Sequence, residues 1–393
     1  MRQERPMRVV VVAGRHREAR ARTVDELLLA EPRAVAVHHD LGRVAEGVVH
    51  RMVRDRWGVV DGARVAAVPS CVSCTLREDL RLFLEGLAAQ GEHPLCVVEL
   101  ADAVEPRAVA ESISAWEGEE DARGRIHLAA VCTAVEAGLL ATDLAGDAAP
   151  RGRSPWTASR GEGDTVAEVV ARQVEYPTLL TLTAPRGGHA LWEQGRALLE
   201  HLNPAALVLP PVGERLLRAT RGRFSPRTAA ARLDPACAQY PASRRTGRVS
   251  TMTWRRRRPL HPERLHAALE RLAEAAPRSR GRFWLAGRLD TLLTWEAAGG
   301  ALAIGAAGPW LAALPDTAWA LVSAQRRMSA RVDWHPVIGD RGQCLSFTGV
   351  DLDAGRIAEV LDSCLLTDEE MGDPGHTRPA AHDPFAEVLG GVR

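Results

Sequence analysis

The amino-acid sequence predicts a doubly wound α/β domain, with a mostly parallel sheet and helices on both faces, followed by a smaller α/β domain. Three observations carry this expectation. Short continuous apolar runs recur through residues 1–210, and helical stretches separate nearly all of them. After an interval rich in Pro, Arg and Ala, a second set of strand-like runs begins, accompanied by two amphipathic helical patterns.

Met7–Ala13 reads as a buried strand of a parallel sheet, followed by a turn at Gly14 and a helical pattern through Thr23–Leu29. Further strands are expected at Ala34–Val37, which runs out into His38-His39-Asp40, and at Val65–Val68, Pro94–Leu100, Ile126–Thr133, Leu179–Thr183 and Ala206–Leu209. The Gly-, Pro-, Arg- and Ser-rich stretch between Gly146 and Gly163 marks a surface loop. These readings divide the chain into a first domain at 1–210, a linker at 211–247, a second domain at 248–370 and a disordered tail at 371–393. Within the second domain, strands are expected at Val249–Trp254, Gly281–Ala286, Ala318–Ser323 and Gln343–Val350. Helices are expected at His261–Ala275 and Ala354–Cys364.

Composition narrows the function classes. In 393 residues, 50 basic side chains balance 50 acidic ones, so bulk charge predicts neither a nucleic-acid nor a membrane partner. No apolar run approaches the ~20 residues that span a bilayer. Met1–Pro6 leads directly into a strand, so no secretory leader is expected. Seven scattered cysteines do not form the pattern of a disulfide framework, which predicts a reducing, cytoplasmic setting. The chain contains no lysine, and Asn203 is its only asparagine. A GC-rich genome explains most of that bias, but a lysine required for chemistry cannot be exchanged for arginine without altering the chemistry.

Cys71-Val72-Ser73-Cys74-Thr75-Leu76-Arg77-Glu78-Asp79-Leu80 is the most informative stretch. The two thiols fall beyond the carboxyl end of an expected strand, where α/β proteins gather ligands. Such a pair can chelate a soft metal, cycle as a dithiol, or remain idle. Cys96 and Cys132 lie within apolar strands and read as core residues. Arg255-Arg256-Arg257-Arg258 reads as a solvated strand exit, because neutral net charge and the lack of interleaved aromatics argue against a nucleic-acid surface.

Taken in order, several blocks resemble the CobW family of P-loop GTPases that act as metal chaperones. Cys71–Leu80 is similar to that family's Cys-x-Cys-Cys-Thr-Leu-Arg-Glu-Asp-Leu signature, with Ser73 where the middle thiol stands. Val97-Val98-Glu99 with Glu105-Pro106, Gln173-Val174-Glu175-Tyr176 and Leu202-Asn203-Pro204 resemble further family blocks. So do Arg258–Leu265, Gly281–Ala286, Gly339–Val350 and Leu361–Thr367 in the second domain. The resemblance implies a P-loop NTPase-like first domain and a CobW C-terminal domain. It also implies a metal cargo, zinc before cobalt, and a client metalloprotein as partner.

The nucleotide motifs depart from the family. A P-loop needs glycines that let backbone N–H groups close on phosphates, a lysine for the β and γ groups, and a hydroxyl for Mg²⁺. Gly14-Arg15-His16-Arg17-Glu18-Ala19-Arg20-Ala21 keeps only the first glycine, places Arg20 at the lysine and Ala21 at the hydroxyl. Thr183-Ala184-Pro185-Arg186 stands where Asn-Lys-x-Asp reads guanine, and Asp102 replaces the switch glycine. Gly14 and Arg20 are thus the remnants of a nucleotide site, and Asp40 and Glu99 the switch-like carboxylates. GTP with Mg²⁺ is not the expected cofactor, and hydrolysis is expected to be lost. The alternatives are an active GTPase with an arginine-lined loop, or a pseudo-GTPase scaffold that binds neither metal nor nucleotide and pairs with an active relative or as an oligomer. The metal site expected from the resemblance and the strand ends comprises Cys71, Cys74, Asp40 and one histidine, His39, with zinc suited to thiolate plus imidazole.

Overall fold

The first apolar run of the chain forms the central strand of the larger sheet, since Val9–Ala13 are fully buried between strands on both sides. The computed structural model describes residues 6–67, 72–102, 104–118, 125–146, 164–184, 188–372 and 383–389. In chain order the first unit contains β1 (Met7–Ala13), α1 (Arg17–Ala30), β2 (Val35–Asp40), β3 (Val48–Asp55), β4 (Gly58–Ala66), α2 (Val72–Gln90) and β5 (Leu95–Glu99). It continues through α3 (Pro106–Glu117), β6 (Ile126–Glu136), α4 (Leu140–Ala145), α5 (Val166–Glu175), β7 (Leu179–Thr183), α6 (His189–Leu202), β8 (Leu207–Leu209) and α7 (Gly213–Ala219).

Eight strands lie in the order β4-β3-β2-β5-β1-β6-β7-β8, and only β3 runs antiparallel to its neighbours. The β1–α1–β2 connection passes over β5 in one direction, whereas β5–α3–β6 passes over β1 in the other. Right-handed crossovers therefore put α1 and α3 on opposite faces. Val10, Val12, Ala36, Leu95 and Val97 share one apolar cluster with Val24, Leu27 and Leu28 of α1 and with Leu216 and Leu217 of α7. Each such aliphatic side chain contributes roughly 1.5–3 kcal/mol by burial, which fixes the register of α1 on the sheet. The order of connections reverses between β1 and β5, and the carboxyl ends of those two strands open the crevice in which doubly wound proteins bind ligands.

The hairpin β3–β4 was not expected. Its outer strand is exposed over most of its length, so β4 lacks the alternating apolar pattern, and the expected strand at Val65–Val68 is only the end of a longer one. Asp55 Oδ1 closes the turn by accepting from the Trp57 and Gly58 amides at 2.7 and 3.1 Å.

The chain divides near Ala230 into two compact units. After α8 (Pro226–Leu233), the second unit contains β9 (Arg244–Thr246), β10 (Val249–Arg256), α9 (Pro262–Glu274), β11 (Arg278–Phe283), β12 (Thr291–Ala298) and β13 (Ala301–Pro309). It ends with α10 (Ala324–Asp333), β14 (Gln343–Val350), α11 (Ala354–Ser363) and α12 (Asp368–Gly372). Six antiparallel strands order as β13-β12-β11-β14-β10-β9, and α9 and α11 bury their apolar faces against Trp254, Phe283, Trp295, Leu345 and Phe347. Ala318–Ser323 is not a strand: Asp316–Leu321 forms a 3₁₀ helix started by Pro315. The β12–β13 hairpin was missed because β13 is largely Ala and Gly and mostly solvent-facing.

Two further expectations change. The segment 211–247 is not a loose linker, because α7 packs on α1 while Ala236 joins Trp284 and Trp310, and Tyr240 packs with Cys344. Part of the expected disordered tail is folded as well: Phe385 is 1% exposed and lies in the second unit's core.

The lone asparagine has a structural reason. Asn203 is buried at the C-terminus of α6, and its amide nitrogen donates to the carbonyls of Val174, Glu175 and Pro177 at 2.9, 3.1 and 2.9 Å. Three acceptors around one nitrogen fix the amide orientation. Asn203→Ala should cost about 2 kcal/mol in urea unfolding, and Asn203→Asp more, because a carboxylate would face those three oxygens. Equal stability of the three proteins would refute this reading.

Candidate functional site at the switch point of the parallel sheet

The turn between β1 and α1 is short. Gly14 adopts φ +140°, and a Cβ there would lie 2.3 Å from the Ala134 carbonyl oxygen on β6. The glycine is thus required by close packing of two strands, whether or not a phosphate is near. Helix α1 already begins at Arg17, and the Arg20 amide donates to the His16 carbonyl at 3.1 Å. Residues 17–20, which would curl around phosphates in a P-loop, are therefore a first helical turn. On one flank, the Asp143 carboxylate accepts from His16 Nε2 at 2.7 Å, with Arg15 Nε 3.4 Å away.

Arg20 turns inward. Its side chain is 3% exposed, and Nη1 donates to the Gly14 carbonyl at 2.5 Å and the Arg15 carbonyl at 3.2 Å. Nη2 lies 2.7 Å from Asp102 Oδ1, and Nε lies 3.7 Å from Glu99 Oε1. Glu99 also receives Arg54 Nη2 at 3.3 Å, and Arg54 reaches on to Asp25. Burial alone would lower the Arg54 pKa, but hydrogen bonding to Asp25 and the Glu99 charge raise it overall. A lysine would place one point charge here. Arginine's planar fork instead reaches the turn's carbonyls through Nη1 and Asp102 through Nη2, with Nε facing Glu99 without a hydrogen bond. Arg20 and Asp102 are thus direct partners, joining the β1–α1 turn to the segment after β5.

The segment after β5 is held from a second direction. Gln173 Nε2 donates to the Asp102 and Val104 carbonyls at 2.9 and 3.1 Å. Thr23, two residues beyond Ala21, offers no substitute Mg²⁺ ligand. Its hydroxyl lies 2.9 Å from the Ala19 carbonyl and 2.8 Å from the Thr181 hydroxyl, inside the core. Thr183, at the start of the altered guanine motif, is buried and donates to the Val135 carbonyl at 3.1 Å, while Pro185 and Arg186 lie outside the described residues.

A cavity of about 680 Å³ adjoins this network, lined among others by Arg17, Asp25, His38, Asp40, Glu99 and Asp102. Strand parity explains its membership. Ala36 faces α1, so His38 and Asp40 face α1 as well, whereas His39 points to the opposite face. His38 Nδ1 donates to the Glu99 carbonyl at 3.1 Å, and Asp40 Oδ1 accepts from the Gly42 amide at 2.8 Å. His39 Nε2 instead donates to Asp79 Oδ2 on α2 at 2.7 Å, and Arg51 Nη1 to Asp79 Oδ1 at 2.8 Å. His39 and Asp40, expected in one metal site, are thus not brought together here, because adjacent strand residues point to opposite faces. Cys74 belongs to α2, the helix that meets His39 through Asp79, and Cys71 lies outside the described residues. Cys74 is exposed and disulfide-bonded, so it is no thiolate in this state. Among the described residues there is no group of three or more His, Cys, Asp or Glu arranged to hold a metal. Burial pushes the Cys96 and Cys132 thiols up to about 12, in keeping with core roles.

Sequence reasoning missed Arg54, Arg51, Asp25 and Asp79. The two arginines sit on the unexpected strand β3, Asp25 lay in an expected helical pattern, and Asp79 was read only as part of the Cys71–Leu80 signature.

Comparison with known proteins bears on lineage. The cobalamin synthesis protein cobW C-terminal domain family matches residues 249–365. A zinc chaperone of Mycobacterium tuberculosis is 32% identical over 396 aligned residues, 96% of this chain and 92% of that protein. The chain belongs to the CobW-like metallochaperone family. A zinc-regulated GTPase metalloprotein activator of Dictyostelium discoideum is 24% identical to this CobW-like protein over 323 residues, covering 77% of this chain and 66% of its own. The Zn(II)-bound YjiA GTPase of E. coli aligns with 14% identity and a TM-score of 0.36, over 92% of this chain and 99% of that one.

Two outcomes follow. Arg20→Ala should destabilise the protein by about 3 kcal/mol in denaturant unfolding, because it leaves Glu99 as a buried carboxylate short of a partner. A loss below 1 kcal/mol would mean that the pairing contributes little. For Asp79, burial raises the carboxyl pKa, but the His39 hydrogen bond and charge and the Arg51 charge outweigh it and hold it below the usual carboxylate value. A lowered folded pKa stabilises above the unfolded value near ~4 and is lost as pH falls through the folded value. The stability gap between wild type and Asp79→Asn should therefore narrow below pH ~4. A gap that stays constant down to pH ~2 would contradict the pairing.

Proposed function

We propose that this protein serves zinc homeostasis as a metallochaperone-type accessory protein and works without hydrolysing GTP. The observation that carries the second half is the Arg20 guanidinium, seated against the Gly14 carbonyl and Asp102 where a P-loop would hold phosphate. A nucleotide would have to displace the buried Arg20 guanidinium from the turn carbonyls and from Asp102, unwind the first turn of α1, and then find neither an ammonium nor a Mg²⁺ hydroxyl. The segment after β5, which a nucleotide would otherwise order, is already tied to Arg20 and Gln173.

The zinc half rests on kinship and on donor chemistry. The M. tuberculosis relative bears the name of a zinc chaperone, and the chain retains two cysteines at the family signature. Zinc is here a cargo. Reduced Cys71 and Cys74 would supply two soft thiolates, leaving coordination positions open for transfer to a client metalloprotein. The oxidised state of Cys74 makes reduction a precondition for loading. Cobalt is the less suited cargo because thiolates favour zinc.

Calorimetry of zinc into the reduced protein should give a binding heat that Cys71→Ser/Cys74→Ser removes; identical heats would refute the cysteine site. Phosphate release from GTP with Mg²⁺ should match the buffer blank, both for wild type and for Arg20→Ala. Turnover by wild type that Arg20→Ala abolishes would instead establish an active GTPase with an arginine-lined loop.

A further inference from the structure

Arg255 and Arg257 are exposed at the exit of β10, as the sequence predicts. With Arg256, Arg282 and Arg341 they line a second cavity of about 370 Å³, wholly within the second unit, whose acidic lining is Asp333 and Asp340. The register shows why they converge. Arg255 on β10 and Arg282 on β11 are both paired with Cys344 on β14, so the three form one cross-strand row on one face of the sheet. Two guanidiniums thus flank a central thiol, and like charges in such a row need a counter-ion.

The countercharge supplied within the fold is incomplete. Asp333, at the end of α10, pairs with Arg282 and lies 3.6 Å from Arg255 Nη1. Its main-chain carbonyl accepts from Arg257 Nη1 at 3.4 Å. Asp340 is spent on the amides of Leu311 and Ala312 at 3.0 and 2.9 Å. Arg256 and Arg341 turn to Asp362 and Asp290, each at 2.8 Å. Burial pushes the Cys344 thiol up despite Arg282 and Arg255, so it brings no negative charge at neutral pH. One carboxylate, Asp333, therefore serves the guanidiniums of Arg282 and Arg255, and among the described residues Arg257 has no acidic partner.

We propose that this cavity is an anion site for a small phosphate-bearing ligand, independent of the remnant nucleotide centre. A phosphate or phosphomonoester carries close to two negative charges at pH 7, which matches the excess on Arg255 and Arg257, and guanidinium forks suit its oxygens. The volume lies near the lower end for small-molecule sites, which favours a compact phosphoester over a whole nucleotide. Asp333 occupies part of the seat and competes with the ligand for Arg255 and Arg282.

The test is calorimetry on the full-length protein with inorganic phosphate and, separately, glycerol phosphate. Wild type should bind at least one of them; tighter binding of glycerol phosphate assigns the site to phosphomonoesters, and equal or weaker binding to free phosphate. Arg255→Gln/Arg257→Gln should weaken binding at least tenfold, whereas Asp333→Asn should tighten it several-fold by removing the internal competitor. Changes of opposite sign cannot both arise from loss of fold. Any other pattern, including no binding by wild type or equal binding by all three proteins, overturns the assignment.

Discussion

The bidentate seat of Arg20 is the constraint on which the rest of the first unit depends. A buried guanidinium is tolerated when most of its donors are met, and here Nη1 meets the turn carbonyls and Nη2 the Asp102 carboxylate, while Nε faces Glu99 at 3.7 Å without a hydrogen bond. The same contacts close the β1–α1 turn, set the start of α1, and fasten the segment after β5 to the switch point of the sheet. In a nucleotide-driven switch, phosphate and Mg²⁺ supply those tethers and hydrolysis removes them. In this chain Arg20 and Gln173 hold the segment in the arrangement described.

Strand parity separates the polar residues at the end of β2. Three consecutive polar residues at the end of β2 look like one cluster in the sequence. The pleat sends His38 and Asp40 toward α1 and the remnant nucleotide centre, and His39 toward α2. The helix bearing Cys74 therefore shares its face with His39 and Asp79, while the acidic switch residue belongs to the other face. Any coupling between a cysteine-held cargo and the Arg20 network has to pass through the sheet itself.

Much of the first unit was legible because its parallel strands are buried on both faces and so appear as unbroken Val, Ala and Leu runs. Residues 7–13 and 179–183 were found this way, and 343–350 from the equally buried strand in the second unit's antiparallel sheet. What escaped detection was solvent-facing: β4 with its exposed residues, the Ala- and Gly-rich β13, and the 3₁₀ turn at Asp316–Leu321, whose Trp and Leu mimic a strand. The site was legible as a set of substitutions but not as a network, because Arg54 comes from the unread hairpin and the Arg20–Asp102 contact joins residues far apart in sequence. The arginine run at 255–258 shows the same limit. Its composition suggests a solvated end, which it is, and only the pairing of Arg255 and Arg282 with Cys344 shows that one charge of the run converges with one from β11.

Amide hydrogen exchange across residues 8–23 and 97–102, with and without GTP and Mg²⁺, addresses the central claim most directly. With Arg20 as the permanent occupant of the phosphate seat, the Arg20 amide and the first turn of α1 should be protected without nucleotide, and their rates should not change when it is added. Fast exchange in the free protein that slows on adding GTP and Mg²⁺ would show an open loop that nucleotide orders, and would contradict the account.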